Sequence, residues 1–230
     1  MKRWLSLDSI RIDSDPSPLA NPATHVGLTW PVAHERAWPS ITAPPSADFC
    51  NIIENRRSQR ILSPASHAEI VNMLCFALAP RFVNAEGRFR APPLSSGALH
   101  AVDIVLFSED GVYRLDRSRR SVQTLRIADV SKRVDFLRRV RELLPDSRAA
   151  VISLIGDLPR ISAYYANPGS LLFRDAGALL QTLAIVAEFF KLGFCPLGLL
   201  GRELVTSLGL DPTIAVPVGA AVLGRRASKD

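Results

Sequence analysis

Arg174-Asp175-Ala176-Gly177-Ala178-Leu179-Leu180-Gln181-Thr182-Leu183-Ala184-Ile185-Val186-Ala187-Glu188-Phe189-Phe190-Lys191 is the stretch on which the fold turns, and Leu192-Gly193-Phe194-Cys195-Pro196-Leu197-Gly198 follows it directly. From about Phe173 to Lys191 nearly every position is apolar, with Gln181 and Glu188 the chief interruptions, so a helix here has no broad polar face. Such a helix must be covered all round, by its own core or by a second subunit. Gly193 is expected to end it in the left-handed conformation.

Working outward, Ala149 to Ile155 reads as a buried strand, and Val130, Val134, Leu137, Val140 and Leu144 mark an amphipathic helix before it. Val102 to Phe107 and Val112, Tyr113 and Leu115 flank Glu109-Asp110-Gly111, the signature of a hairpin. Ser66 and Glu69 form a capping-box pattern for a helix running to about Ala79, which Pro80 closes. Ser46 is placed to cap a shorter helix through Phe49, Ile52 and Ile53. Downstream lie a short helix near Arg202 to Leu208 and a last strand near Ala215 to Leu223. Helices and strands thus alternate irregularly, with a hairpin in place of repeated βαβ units, and the expected class is α+β. Residues 1–45 are rich in proline and without sustained periodicity, which predicts an irregular arm ahead of one domain over 46–230. Trp4, Trp30 and Trp38 predict that the arm docks.

The chain has 230 residues, 47% of them hydrophobic, enough for one substantial core. Its net charge of +6 invites a nucleic-acid reading, and Arg117, Arg119, Arg120, Lys132, Arg133, Arg138, Arg139 and Arg141 cluster in sequence. That region has neither interleaved aromatics nor a nucleic-acid-binding motif, so a solvated helix face is favoured and no nucleic-acid partner is expected. Attraction for an acidic peptide is the intermediate reading. Cys50, Cys75 and Cys195 are odd in number and widely spaced, which argues against a disulfide framework and a metal site. The amino terminus runs into Asp8, Arg11, Asp13 and Asp15 instead of an apolar signal core, and no uninterrupted apolar run suggests a membrane span. A cytoplasmic protein is the expectation.

Four segments carry the functional reading: Arg56-Arg57-Ser58-Gln59-Arg60, Ser95-Ser96-Gly97-Ala98-Leu99-His100, Arg174-Asp175-Ala176-Gly177 and Gly193-Phe194-Cys195-Pro196-Leu197-Gly198. In this order and at these separations the chain, from about Ser46 to Gly224, resembles the nitroreductase superfamily of flavin enzymes. Within it, the resemblance is to SagB-type dehydrogenases that oxidise azoline rings in modified peptides. It implies a mainly antiparallel sheet flanked by helices, a long central helix at a homodimer interface, and FMN as cofactor. The phosphate of FMN wants guanidinium forks and hydroxyl donors, and its ring wants a flat slot lined by small residues. The resemblance assigns the phosphate to Arg56, Ser58 and Arg60, with Arg57 between them, and to Arg225 and Arg226 after the final strand. A ligand-free basic helix end and a solvated basic tail are the alternatives. The ring falls to Ser95, Ser96 and Gly97 and to Pro196, Leu197 and Gly198. The family pattern is altered where Leu94 follows Pro93 and where Leu199 replaces a second glycine. Cys195 reads as a packing residue.

Azoline dehydrogenases of this kind carry an adjacent Lys-Tyr pair ahead of the central helix, and the matching Ser162-Ala163-Tyr164-Tyr165 keeps tyrosine and lacks lysine. Tyr164 and Tyr165 are therefore the candidate catalytic residues. A base role needs a neighbouring cation, for which Arg174 is the candidate. An aromatic pair covering the helix entrance is the structural alternative. The implied reaction is oxidation of a thiazoline or oxazoline to its azole, with a cyclodehydratase and a precursor peptide as partners. An NAD(P)H-dependent nitro or quinone reductase and a catalytically degenerate assembly subunit are the other readings.

Overall fold

The structure is a computed structural model and describes residues 15–23, 27–83 and 89–227. Trp4 lies outside the described residues. The expected hairpin is present, with β6 (Val102–Ser108) and β7 (Gly111–Asp116) paired antiparallel from Val105 opposite Arg114 to Ser108 opposite Gly111. β8 (Ser121–Leu125) continues the meander, and β2 (Val32–Ala37) closes its edge. The segment expected to be irregular thus supplies a strand of the main sheet. Its docking runs through Trp38, whose indole N–H donates to the Ser121 carbonyl at 2.9 Å, and Trp30, which carries the Arg114 guanidinium 4.7 Å from its ring centre. On the other side of β6 lie β9 (Ala150–Asp157), β12 (Ala215–Arg226) and β11 (Leu192–Leu197), while β3 (Leu62–Ser63) pairs with the end of β12. The order is β11-β12-β9-β6-β7-β8-β2, and each pairing is antiparallel.

Strand alternation sorts the core into two layers. Ile104, Leu106, Ile152 and Leu154 join the cluster that includes α2 (His67–Leu78) and α5 (Gly169–Phe189). Val105, Phe107, Val151 and Ile155 join the cluster that includes Phe136 and Val140 of α3 (Val130–Leu143) and Leu204 and Val205 of α6 (Arg202–Ser207). α2 has the expected capping box, with Ser66 and Glu69 bonded reciprocally. Two further strand pairs lie outside the main sheet: β1 (Ser17–Pro18) with β10 (Tyr165–Ala166), and β4 (Phe82–Val83) with β5 (Phe89–Arg90).

Several expectations need correction. α1 (Phe49–Asn55) is capped by Asp48, whose carboxylate accepts from the Asn51 N–H, and not by Ser46. The inward stripe of α3 is Phe136, Val140 and, just past its end, Leu144, whereas Val130 and Val134 are exposed. Gly193 is no helix cap: Lys191 takes the left-handed conformation at φ 58°, and Gly193 lies within β11, where a Cβ would collide with the Leu62 side chain. β12 runs through Arg225 and Arg226 because β3 and β11 both pair with its last residues. Arg117 belongs to no helix face; it is buried after β7 and donates to the Val102 carbonyl, and burial pulls its guanidinium down to about 10.

α5 begins at Gly169, ahead of the expected start, and is long and apolar enough to cross a membrane by length and composition alone. Here Leu172, Leu179, Leu183 and Ala187 pack into the core, while Phe173, Gly177 and Gln181 form an exposed stripe. Its own core therefore covers one side of the helix only. α1 packs against it and leaves Phe49 and Ile53 exposed beside it.

Candidate active site

The basic segment 56–60 leaves α1 and is tied to β11 by the Gln59 N–H, which donates to the Phe194 carbonyl at 3.0 Å. Close approach is possible because Gly193 has no side chain: an added Cβ would also lie 3.2 Å from Gln59 Cβ and 3.4 Å from Arg226 Cγ. Arg56 is half-buried, and Arg57, Ser58 and Arg60 are exposed. Burial raises the Cys195 thiol above its ordinary value and the Arg60 charge acts against that rise, which places Arg60 near the β11 edge. Cys195 itself is buried in the α3-side core, as a packing residue is.

Arg225 and Arg226 join the same end of the sheet, opposite Ser63 and Leu62 of β3. Both already have carboxylate partners. Arg225 grips Glu69 of α2 through Nε and Nη2, at 2.9–3.1 Å, and Arg226 pairs with Glu188 of α5. The arginines expected to follow the final strand thus lie within it, and neither forms a solvated tail without partners. Arg56, Arg57 and Arg60 carry no ion pair among the described residues, so with the Ser58 hydroxyl they are the available anion donors at this end.

At the other end of α5, Asp175 organises the second segment. It is buried and accepts from Ser95 Oγ at 2.7 Å, from Ser96 N–H at 3.0 Å and from Ser96 Oγ at 2.9 Å. Ser95 Oγ in turn accepts from the His100 N–H at 2.8 Å, and the His100 carbonyl accepts from Arg160 at 3.1 Å. The hydroxyls of the two serines expected to line the ring are thus engaged by the helix, because a buried carboxylate needs several donors. What the loop presents instead is backbone. Gly97, Ala98 and His100 all have positive φ, at 56°, 54° and 47°. Such left-handed positions at non-glycine residues gather where a loop is over-determined by its surroundings.

Tyr165 lies against this loop, its hydroxyl 3.0 Å from where a Gly97 Cβ would sit. Strand β10 fixes it, with Tyr165 opposite Pro18, while the Tyr164 carbonyl accepts from the Leu19 N–H at 2.8 Å. Both tyrosines are half-buried, and Arg174 is exposed. Pro196 and Leu197 are the last residues of the edge strand β11, paired with Ala221 and Ala220, and Gly198, which follows, has open space beside it. Leu199 packs with the α3-side core, so its side chain does not fill that space. No group of three or more metal-ligating side chains occurs among the described residues.

The structure therefore gathers two sets of the predicted residues, the 56–60 segment with Arg225 and Arg226, and the Ser95–His100 loop with Tyr165, and brings Pro196, Leu197 and Gly198 into neither. Asp175 anchors one, Glu188 marks the other, and about 20 Å of helix separates them. Sequence reasoning missed Asp175 as an anchor, although it sits in the quoted Arg174–Gly177 segment. It also missed Glu69 and Glu188 as partners of the terminal arginines.

No protein-family model matches the chain, and no curated protein matches it in sequence. Solved structures do resemble it. A candidate nitroreductase from Ralstonia eutropha JMP134 superposes with a TM-score of 0.65 at 15% identity, over 90% of this chain and 98% of that one. A candidate nitroreductase from Desulfovibrio desulfuricans, in complex with FMN, gives a TM-score of 0.53 at 18% identity, over 80% and 88%. A chain of the E. coli microcin synthetase McbBCD complex with truncated pro-MccB17 gives 0.57 at 15% identity, over 84% and 77%. At these identities the likeness is one of architecture, and the chain has the nitroreductase-like fold.

Proposed function

We propose that this protein is a cytoplasmic, homodimeric, FMN-dependent oxidoreductase whose flavin site is shared between two copies. The observation that carries the reading is the division of the predicted residues into an anion-binding set and a strained loop at opposite ends of α5. A second copy, docked through the exposed stripe of α5, brings the loop of one chain to the basic segment of the other. The residues fit the cofactor: Arg56, Arg57, Ser58 and Arg60 suit a phosphate dianion, and Gly198, with open space beside it, allows the close approach that a ring needs. The FMN-bound neighbour of the same fold supports this choice.

The favoured reaction is of the SagB type, oxidation of a thiazoline or oxazoline in a ribosomal peptide to its azole. The microcin synthetase neighbour supports it, and a cyclodehydratase and precursor peptide are the partners proposed here. FMN, when bound, would supply a two-electron acceptor, so that oxidation of the azoline releases one hydrogen as a proton for which this chain must provide a base. We assign that role to Tyr165, beside Gly97 and half-buried, with Tyr164 next to it; either tyrosine would act as the phenolate and would release the proton to solvent. Asp175 holds the loop that orients both reacting partners. The second reading is NAD(P)H-dependent reduction of nitro or quinone compounds on the same site, and the absent lysine and Leu199 favour a third, a degenerate assembly subunit.

The test is an FMN titration of the purified protein. Arg56→Ala and Arg60→Ala should each weaken binding about tenfold or more, the loss of one charge-assisted contact. Unchanged dissociation constants in both variants would remove the phosphate assignment. Loss of two hydrogens from a cyclised peptide in the presence of oxygen identifies the dehydrogenase, and bleaching of the flavin by NADPH identifies the reductase.

A further inference from the structure

A cavity of about 230 Å³ lies between α2, the β6–β7 turn, α3 and the start of β9. None of the residues assigned above to FMN lines it. Its floor is apolar, built from Phe107, Leu137 and Val151. Glu109 and Asp110 of the β6–β7 turn and the side chains of Arg133, Arg141 and Arg148 line it as well, so both signs of charge face the same cavity.

Among the described residues, none of these five charges forms an ion pair with another or with any third residue. Arg133 donates to the Ser108 carbonyl at 2.9 Å, and Arg148 donates to the carbonyls of Pro145 and Ser147 at 2.7 and 3.1 Å. These bonds hold the guanidiniums in place without neutralising them. In the same lining, the buried Ser147 hydroxyl has no hydrogen-bond partner among the described residues. Opposite charges that line one cavity and stay apart can each be neutralised by a ligand that carries both signs.

We propose that this cavity binds a small zwitterion with an apolar body, of the size of one or two amino-acid residues. Its ammonium group faces Glu109 and Asp110, its carboxylate faces Arg133, Arg141 and Arg148, and its side chain lies on the apolar floor. The volume is below that of a cavity for a drug-sized ligand, which sets the size class. The proposal is independent of the flavin reading.

Isothermal titration of the full-length protein with leucine and with leucyl-glycine tests it, alongside the N-acetylated and C-amidated forms of each. Saturable binding of at least one zwitterion is expected, weakened about tenfold or more when either end is blocked. The Glu109→Gln/Asp110→Asn double variant and Arg141→Ala change exposed side chains and leave the fold intact. Each should weaken the same zwitterion. No saturation by either compound up to about 10 mM, or a loss on blocking one end only, would overturn the proposal. So would binding that neither set of substitutions changes.

Discussion

Asp175 links the long helix to the Ser95–His100 loop through three donors, and the loop's left-handed turn is held in register by that carboxylate. Asp175→Asn keeps the shape and removes the charge, so the two hydroxyl bonds weaken together. It is expected to reduce FMN affinity about tenfold while the far-ultraviolet circular dichroism stays unchanged; an unaltered affinity would detach the loop from the flavin. The serines were legible as a functional segment, but their partner was not. Asp175 lies about eighty residues from them in sequence, and nothing local announces a carboxylate that bonds across the fold. For the tyrosines, Tyr164→Phe with Tyr165→Phe should abolish turnover and leave the flavin spectrum intact. Full azoline oxidation by the double variant would exclude both as bases.

At the scale of elements, the β6–β7–β8 meander is pinned by Arg114, buried between Asp103 at 3.0 Å and Asp116 at 2.9 Å, with Gln123 at 2.7 Å. Burial pushes the Asp116 carboxyl up, but the Ser118 hydroxyl, the Arg114 charge and the Arg119 N–H outweigh it and hold it below its ordinary value. A carboxyl lowered on folding stabilises the protein above its unfolded value and loses that contribution as pH falls through its folded value. Stability measured by urea should therefore drop as pH falls below the ordinary aspartate value, and Asp116→Asn should cost about 3 kcal/mol at neutral pH and flatten the drop. An acid profile identical in the variant would assign the transition to other carboxylates. The hairpin and the α2 capping box were legible because each is local. The edge strand β2 and the extension of β12 were not, because their residues become strand only by pairing with partners far away in sequence. Gly193 illustrates the limit: its glycine reads as a cap in sequence, whereas packing against Leu62 explains it in the fold. Gly193→Ala should cost about 1–3 kcal/mol and loosen the 58–60 segment, measurable as a lower urea midpoint.

For the molecule as a whole, the α+β class followed from periodicity, the antiparallel sheet flanked by helices followed from the family resemblance, and the apolar run of α5 left open which of its faces its own core covers. Its core face is satisfied internally, and the exposed stripe through Phe173, Gly177 and Gln181 is the part that the proposed second chain would cover. Phe173→Glu adds a charge at an exposed position, so the chain should stay folded while the dimer dissociates on dilution in sedimentation, with FMN lost in step. The central claim is that each flavin site takes its phosphate contacts from one chain and its ring loop from the other. A mixed dimer of an Arg60→Ala chain and a Gly97→Val chain tests this most directly. If the site is shared, one of its two sites combines an intact basic segment with an intact loop, and the purified mixed dimer binds one FMN per two chains at wild-type affinity. If each site lies within a single chain, both sites carry a defect, and a mixed dimer with no wild-type-affinity FMN would contradict the account.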